Sequence, residues 1–447
     1  MRFGSLYRKG IVAQKQNLSE PVDPEWAWRH FQPNAQRPWT LAWARHLCRR
    51  AGFGASWPEL QEILSQGPQK SIDRFLCPPG DTNTFNQSYD AYESAAAGGE
   101  ATHSLRAWWL RRMIHTPHPL LEKMTLFWHS YFGISNARVK NARLMQQHVQ
   151  HLRTHALGSF SGLLLAIPSD PAALLSLGCA ANRKAQANQN LARAMMEDYS
   201  LGSGQCSARD LQQAAQAFTG CFVVRGKIKH IAREHDDTVK TVLGHQGNFS
   251  GPDVVQILVD HPATAQRLVR RLYAWLISEN HTPEATLVQP LADAFARDHD
   301  IAHLTEIMLR SNLFFSAQAY HQRVKCPLEY ATGIVRGLEG MISTSHLGQD
   351  LADLGQNLYY PPTEKGWQGA SYWIDSSALT ARHNLAVALL SNRKPYGDKL
   401  NPWALAQKHG FSSPGAAAQF VLDLFLQQGV SSSARDTSLA MIPKNND

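Results

Sequence analysis

The sequence predicts a mainly α protein, namely a multi-helix globular domain with one small β-hairpin. From Leu105 onward, apolar side chains recur at intervals of three and four residues, which is the period of amphipathic helices. N-cap residues and helix-ending glycines bracket these segments, as Ser207 and Gly220 do. The visible exception is Phe222–Ile231, where two β-prone runs surround a glycine and predict the hairpin.

In chain order, two helices are predicted near the N-terminus. Trp39–Gly52 is the first, and its terminal glycine is a typical helix end. The second begins after Ser56 as N-cap, with Pro58 in its first turn and Glu59 completing a capping box. Gly67 is predicted to end this second helix.

Two longer segments are predicted to be loops between helices. Cys77–Thr102 carries PPGDTN and AAAGGEAT, which predict a surface loop with a helix inside it. Arg233–Gly251 is polar and contains several glycines, so it is predicted to be one long loop. Loops of that length in compact domains are usually functional or disordered.

The 447 residues are predicted to form one large helical domain, because no linker rich in proline, serine and glycine divides the middle of the chain. Residues 1–38 are polar and are predicted to be a partly ordered N-terminal segment. The helical domain would span 39–395 and a C-terminal helical extension 396–430. The last residues, 431–447, are predicted to be a disordered tail.

Composition restricts the possible partners and compartments. The net charge is +8, but the basic residues are spread along the chain without a recognised motif, so no nucleic-acid partner is expected. No stretch approaches the roughly 20 apolar residues of a membrane helix. The N-terminus lacks the apolar core of a secretory signal, so the default is a cytoplasmic location, with another export route left open. The six cysteines lack any C-x-x-C spacing, which is typical of scattered buried thiols.

Polar side chains within an apolar helix are the main functional signal. The helix predicted for Thr116–Phe132, with Pro119 in its first turn, carries Glu122 and His129 on one face. Burying such groups is costly unless they are paired. They are predicted either to form an acid–base couple or a pair of metal ligands, or to be a satisfied core pair that positions two helices.

The helix predicted for Asn188–Gly202 repeats this pattern. Asn188, Asn190 and Arg193 could orient a polar substrate, while Glu197 could act as an acid or a base. The alternative is structural, because an asparagine can cap the helix and Arg193 can form an exposed i, i+4 ion pair with Glu197.

The loop Tyr359–Trp373 is the predicted ligand-contact segment. Its prolines stiffen it and its glycines allow sharp turns. Trp367 could stack on a sugar ring, and Lys365 could hold an acidic group. The alternative is a loop that its aromatic side chains pin into the core.

Lys325 and Arg382 are two further substrate-binding candidates, which would form a charged pocket if they converged with Glu122. Three histidines between His148 and His155 have a spacing suited to zinc or copper, but such stripes arise by chance among 20 histidines. No metal site is therefore predicted. The sequence contains no P-loop, Rossmann, H-E-x-x-H or G-x-S-x-G motif, so its cofactors are unknown.

Eight sequence blocks occur in a fixed order between about Ala44 and about Leu390, and together they resemble the bacterial DUF1800 family. They are LCRRAGFGASWPEL, LRRMIHTPHPLLEKMTLFWHSYF, LRTHALGSFSGLLLAIPSDPAALL, NQNLARAMMEDYSLG, DLQQAAQAFTG, HQRVKCPLEYATGIVRGL, YYPPTEKGWQG and TARHNLAVAL. The resemblance implies a shared fold but no activity. Members that resemble this chain are abundant in planctomycete-type bacteria, often beside genes for sulfatase-like proteins of the DUF1501 family, which implies a sulfatase-like partner by analogy.

This chain departs from the family pattern in two places. The family typically has N-E-N-[YF]-A-R-E-[LI]-[LM]-E, whereas this chain has Gln189 and Ala194 at the two extra carboxylate positions. His-Asn-His-Phe is common in the family where this chain has His129, Ser130, Tyr131 and Phe132. These losses favour a non-catalytic copy.

Two functions follow as hypotheses. The first is an enzyme acting on a polar polymer such as a polysaccharide, with Glu122 and Glu197 as acid–base groups and His129 assisting. The substrate-binding side chains would be Asn188, Asn190, Arg193, Lys325, Lys365, Trp367 and Arg382. The second is a non-catalytic helical binding or assembly module that partners a sulfatase-like protein. A metal-dependent enzyme is a third option.

Overall fold

The computed structural model describes residues 22–80, 82–98, 102–397 and 399–426, together with the single residues 433, 436, 437 and 440. These residues are mainly helical, which confirms the predicted fold class. The α-helices are, in order, Pro24–Trp28, Leu41–Arg50, Trp57–Leu76, Thr82–Ala96, His103–His115, Pro119–Phe132, Asn136–Val139, Ala142–His155, Phe160–Ala166, Pro171–Ser176, Gln189–Arg193, Ala208–Ala217, Gly251–Asp260, Pro262–Leu276, Ala285–Asp298, Ile301–Arg310, Pro327–Gly337, Thr344–Asp353, Ser376–Leu390, Pro402–Lys408 and Pro414–Phe425.

Two antiparallel strand pairs interrupt the helices. The predicted hairpin is present, with Cys221–Val224 paired to Lys227–His230. A second hairpin pairs Lys240–Val242 with His245–Gly247, inside the segment that the sequence predicted to be one long loop, so that prediction was wrong in part. Its turn residues Leu243 and Gly244 both have positive φ, at 50° and 85°. Two such residues in succession match the twist of a hairpin, and a leucine there gives little sequence signal.

Two predicted helices differ from the observed ones. The stretch after Asn188 is not one regular helix, because Gln189–Arg193 is followed by a π-helical turn over Ala194–Asp198. The wider turn buries three consecutive side chains, beginning with Ala194, which a regular amphipathic helix does not place on one face. Gly67 ends the helical turns that begin at Trp57, as predicted, with a non-helical φ of 79°, but Pro68 then starts further helical turns that run to Leu76.

The helix Pro119–Phe132 lies at the centre of the fold. It packs against the helices Trp57–Leu76, His103–His115 and Ala142–His155. It ends at Gly133, whose φ of 60° is the left-handed conformation that favours glycine at helix ends. Because it is covered on several sides, its polar side chains are buried together with its apolar ones.

The N-terminal part that the structure describes is docked on the helical domain. Asp23 caps the helix Pro24–Trp28, and Ala27 and Phe31 are fully buried. This helix packs against the helices Ala285–Asp298 and Ile301–Arg310. The tail that was predicted to be disordered falls almost entirely outside the described residues. Within the described ranges, no helix has both the length and the apolar character needed to cross a bilayer.

Candidate functional site

Glu122 lies on the helix Pro119–Phe132, here called the central helix, and its side chain is fully buried. One of its carboxylate oxygens accepts hydrogen bonds from Arg112 Nε at 2.5 Å and from Arg153 Nε at 2.9 Å. The other accepts from Trp109 Nε1 at 2.8 Å. Burial alone would raise the pKa of Glu122, but the guanidinium groups of Arg153 and Arg112 outweigh it and lower the pKa. Glu122 is thus an ionised carboxylate shared by two buried arginines.

The two arginines continue this network towards the helix Thr82–Ala96. Arg112 Nη2 donates to Asn86 Oδ1, and Arg153 Nη1 lies 3.7 Å from the buried carboxylate of Glu93. Burial raises the pKa of Glu93 to about 7, although Arg153 opposes the shift. The network therefore joins four helices through charged groups that have little access to solvent.

His129 is also fully buried, and it is neutral. The backbone N–H of Tyr359 donates to His129 Nε2 at 3.1 Å, which assigns the ring proton to Nδ1. Burial lowers the pKa of His129 to about 3, and His148 adds to the shift. The rings of Trp109 and Trp367 pack on it, with centroids at 5.5 and 5.4 Å. The histidine therefore anchors the loop that begins at Tyr359 to the central helix.

The stability of the fold should depend on pH through His129. Its pKa is lower in the folded protein than in the unfolded chain, so between about pH 6.5 and pH 3 the unfolded chain binds the extra proton. Stability should therefore fall as pH falls, by on the order of 2 kcal/mol between pH 6.5 and pH 5. The slope of the unfolding free energy against pH, measured by urea denaturation at each pH, should be smaller for His129→Gln than for the wild type. The exposed His151→Gln variant is the control, and an equal reduction in slope there would contradict the assignment.

The three predicted stripe histidines do not share one environment. His148 is buried, with Nδ1 2.5 Å from Asp170 Oδ2, whereas His151 is exposed. His155 is only partly buried. Among the described residues, no three His, Cys, Asp or Glu side chains converge in a way that could hold a metal ion.

The polar side chains after Asn188 lie at the surface and mostly bind backbone. Asn188 Oδ1 accepts from Asn190 N, which is the predicted cap, and Asn190 Nδ2 donates to Leu177 O at 3.0 Å. Arg193 Nη1 and Glu197 Oε2 are 3.5 Å apart in an i, i+4 pair, and half of the Arg193 side chain is exposed. This arrangement is the structural alternative that the sequence left open.

The loop Tyr359–Trp373 packs closely on the end of the central helix. A Cβ on Gly366 would lie 1.9 Å from the carbonyl oxygen of Ser130, and the φ of Gly366 is 75°. Trp367 N donates to Ser130 Oγ at 3.3 Å. Lys365 is exposed, and its charge acts on the half-buried Asp198, whose pKa burial raises. Tyr359 and Trp373 are buried and anchor the loop, whereas Tyr372 is exposed and one side of the loop remains accessible, so its role in ligand contact stays a prediction.

That side forms a cleft of about 260 Å³, here called the aromatic cleft. Its aromatic lining consists of Phe127, Trp275, Trp367 and Trp373, and its polar lining of Ser130, Arg271, Glu279, Arg323, Gln356 and Gln368. Trp367 and its loop were predicted from the sequence. Arg271, Trp275 and Glu279 were missed, because they come from the end of the helix Pro262–Leu276 and the residues after it, about ninety positions earlier. The sequence signal that could have found them is the i, i+4 spacing of Arg271 and Trp275, which puts both side chains on one face of a helix.

Hydrogen-bonding groups in the aromatic cleft are only partly used. Glu279 accepts from Arg323 Nε at 2.8 Å and from Ala370 N at 2.6 Å. The indole N–H groups of Trp275 and Trp367 are buried and have no partner among the described atoms. Arg271 lies 5.4 Å over the Tyr131 ring and forms no ion pair with any described residue. The cleft thus offers aromatic faces and an unpaired cation, and two enclosed indole N–H groups without a described partner lie in its wall.

Lys325 and Arg382 lie elsewhere, beside a second cavity of about 360 Å³. Lys325 lines that cavity, and Arg382 Nη2 donates to the backbone oxygen of Lys325 at 2.8 Å. Arg382 also stacks on Tyr330, at 5.3 Å from the ring centroid. Glu122 is not among the residues that line this cavity.

Comparison with known proteins gives one assignment. A family model described as "Protein of unknown function (DUF1800)" matches residues 46–447. The chain belongs to the DUF1800 family. No curated protein and no solved structure matches it.

In this DUF1800 protein, the predicted site residues fall into four places. Glu122 and His129 are enclosed in the central helix, and Trp367 reaches from His129 to the aromatic cleft. Lys325 lines the second cavity, and Arg382 donates to the backbone oxygen of Lys325. The polar residues after Asn188 lie at the surface, and Lys365 is on the exposed side of the loop. The DUF1800 fold therefore brings no pair of the predicted carboxylates into one accessible cavity, and their catalytic role stays a prediction.

Proposed function

We propose that this DUF1800 protein is a helical binding protein for an acidic saccharide, which the aromatic cleft holds. The observation that carries the proposal is the combination of the Trp275 and Trp367 rings with the unpaired guanidinium of Arg271 in one cleft. Aromatic faces suit the apolar faces of sugar rings, and their polar edges suit hydroxyl groups. A guanidinium is the usual partner for a carboxylate or sulfate.

Binding is better supported than hydrolysis. Among the described residues that line the aromatic cleft, Glu279 is the single carboxylate, and it is already paired with Arg323. Glycoside hydrolysis in its usual form needs two carboxyl groups that flank the bond to be cleaved. Carboxylate acid–base catalysis by Glu122 and Glu197 remains the competing proposal, and release of new reducing ends that depends on Glu197 would support it.

The test is calorimetric titration of the full chain with oligogalacturonate and with its neutral methyl ester. The acidic form should bind more tightly, and Trp367→Ala should weaken binding by roughly tenfold or more because stacking is lost. Arg271→Gln should weaken binding of the acidic form alone. Trp403→Ala is the matched control, since Trp403 is 42% exposed and lies outside the cleft.

Equal binding of the two forms, or equal losses for Trp367→Ala and Trp403→Ala, would contradict the proposal. Because Arg271 is exposed, its variant should fold even if Trp367→Ala does not. Thermal denaturation of each variant, measured alongside, separates loss of binding from loss of folding.

A second candidate is the assembly module, which one surface favours. Leu379, Val387 and Leu390 lie along one face of the helix Ser376–Leu390 and are 45%, 55% and 43% exposed. Exposed apolar faces often mark protein contacts. Binding measurements on the same purified protein distinguish the two proposed functions. An assembly module would bind no saccharide but would retain a purified sulfatase-like protein. That partner, the planctomycete-like origin and the cytoplasmic location stay proposals that rest on the sequence.

A further inference from the structure

The second cavity, here called the basic cavity, is a separate candidate binding site. It lies between the helices Leu41–Arg50 and Pro327–Gly337 and is closed on one side by Pro414–Phe425. Its apolar wall includes Phe53, Leu60, Val324, Ile334, Leu338 and Leu424. Its volume of about 360 Å³ is within the range of small-molecule pockets. Arg323 also lines the aromatic cleft, so one side chain separates the two sites.

Cationic side chains outnumber carboxylates among the described residues that line the basic cavity. Its cationic lining consists of Arg45, Arg49, Arg50, Arg323 and Lys325. Glu329 is the single carboxylate among the described lining residues, and it is already bound by Lys123 and by Arg323 Nη1. Arg50 is also committed, since it donates to the carbonyl oxygens of Leu276 and Ile277.

Lys325 and Arg49 have no carboxylate partner among the described residues. Arg49 Nη2 donates to the backbone oxygen of Phe425, at the end of the last helix. The Lys325 side chain is partly buried and forms no hydrogen bond or ion pair within the described structure. A cation that is partly removed from water and has no counter-ion is destabilising, so an anion that enters the cavity would relieve that cost.

We propose that the basic cavity binds a small organic carboxylate with an apolar body. The carboxylate pairs with Lys325 and Arg49, and the hydrocarbon part packs on the aliphatic wall. Mostly apolar walls with a few convergent polar groups are the usual composition of small-molecule sites. This site does not depend on the saccharide site, because its anchoring groups do not line the aromatic cleft.

Binding should be coupled to proton uptake by Lys325. Burial, with repulsion from Arg49, lowers the pKa of Lys325 to about 7, while Glu329 opposes the shift and Arg382 and Lys123 add to it. His46 and His321 also line the cavity, so the Lys325 variants are needed to assign the pH dependence to Lys325. A bound carboxylate favours the ammonium form and raises that pKa again. The free protein therefore takes up a proton on binding above about pH 7, and affinity should fall as pH rises through this range.

The test is calorimetric titration of the full chain with octanoate at pH 6 and at pH 8, with octanamide as the uncharged probe of equal size. Octanoate should bind more tightly than octanamide, and its affinity should be roughly tenfold lower at pH 8 than at pH 6. Lys325→Met should lower the affinity for octanoate and remove the pH dependence. Lys325→Arg should keep the affinity but also lose the pH dependence, because arginine stays charged.

Lys229→Met, at an exposed lysine in the first hairpin, is the matched control and should change neither quantity. Equal binding of octanoate and octanamide, or a wild-type affinity that does not change with pH, would overturn the proposal. So would an unchanged pH dependence in Lys325→Arg. Saccharide binding measured on the same variants should be unaffected, which keeps the outcomes for the two sites distinct.

Discussion

Glu122→Gln should destabilise the folded protein by about 3–5 kcal/mol, because it removes the carboxylate that lies nearest to two buried arginines. Arg112 and Arg153 both donate to this carboxylate, and each guanidinium is at most 5% exposed. A neutral amide keeps the shape but removes the charge, and its NH₂ group would face donors rather than acceptors. Urea denaturation monitored by circular dichroism measures the loss as a lower midpoint concentration.

Glu197→Gln is the control for this prediction. Glu197 belongs to a surface pair with Arg193, so its loss should cost no more than about 0.5 kcal/mol. If Glu122→Gln cost as little as Glu197→Gln, the arginine network would not depend on its central carboxylate. Glu122 would then regain its place as a candidate acid or base, and the catalytic hypothesis would be strengthened.

Gly366→Ala should cost more than about 3 kcal/mol in stability, since two penalties act at one position. The added methyl group would lie 1.9 Å from Ser130 O and 2.6 Å from Ser130 Oγ, inside contact distance of backbone that cannot move freely. The φ of 75° is also strained for alanine. Trp367 is the next residue in the chain, so a backbone shift that relieved the clash would move the Trp367 side chain in the aromatic cleft. Saccharide binding should therefore weaken as well.

Gly204→Ala isolates the backbone part of this cost. Gly204 has a φ of 81°, close to that of Gly366, but a Cβ there would meet nothing within 4 Å. Its replacement should cost about 1–2 kcal/mol, and the difference between the two variants measures the contact with Ser130. Similar losses of stability for both variants would show that the loop does not approach the central helix as closely as the structure indicates.

Glu122 and His129 show how much the local sequence can predict about buried polar residues. The helical period placed Glu122 and His129 together on an apolar helix, and both are buried. The groups that decide their roles lie elsewhere in the chain. Glu122 meets an arginine 10 positions earlier and another 31 positions later, and His129 meets a backbone N–H 230 positions away. The periodicity of a single helix contains no information about such partners.

In the aromatic cleft, too, the local sequence predicted one part of the site and packing between distant segments supplied the rest. The prolines, glycines and aromatic residues of the loop Tyr359–Trp373 indicated a rigid ligand-contact segment. Trp275 and Glu279 complete the cleft only because the end of another helix packs beside that loop. The second hairpin was missed for a related reason, since the positive φ of Leu243 is imposed by its surroundings and not favoured by its side chain.

By itself, the sequence determined the helical class, the starts of several helices, the family and the positions where polar groups enter the apolar interior. Capping hydrogen bonds and amphipathic periods depend on residues a few positions apart, so they are visible in any short window. Only the tertiary structure decided that Glu122 is enclosed by arginines, that Trp367 faces a cleft and that Lys325 is left without a counter-ion. Charge pairing and cavity shape depend on packing between distant segments, and that packing is not encoded in local spacing.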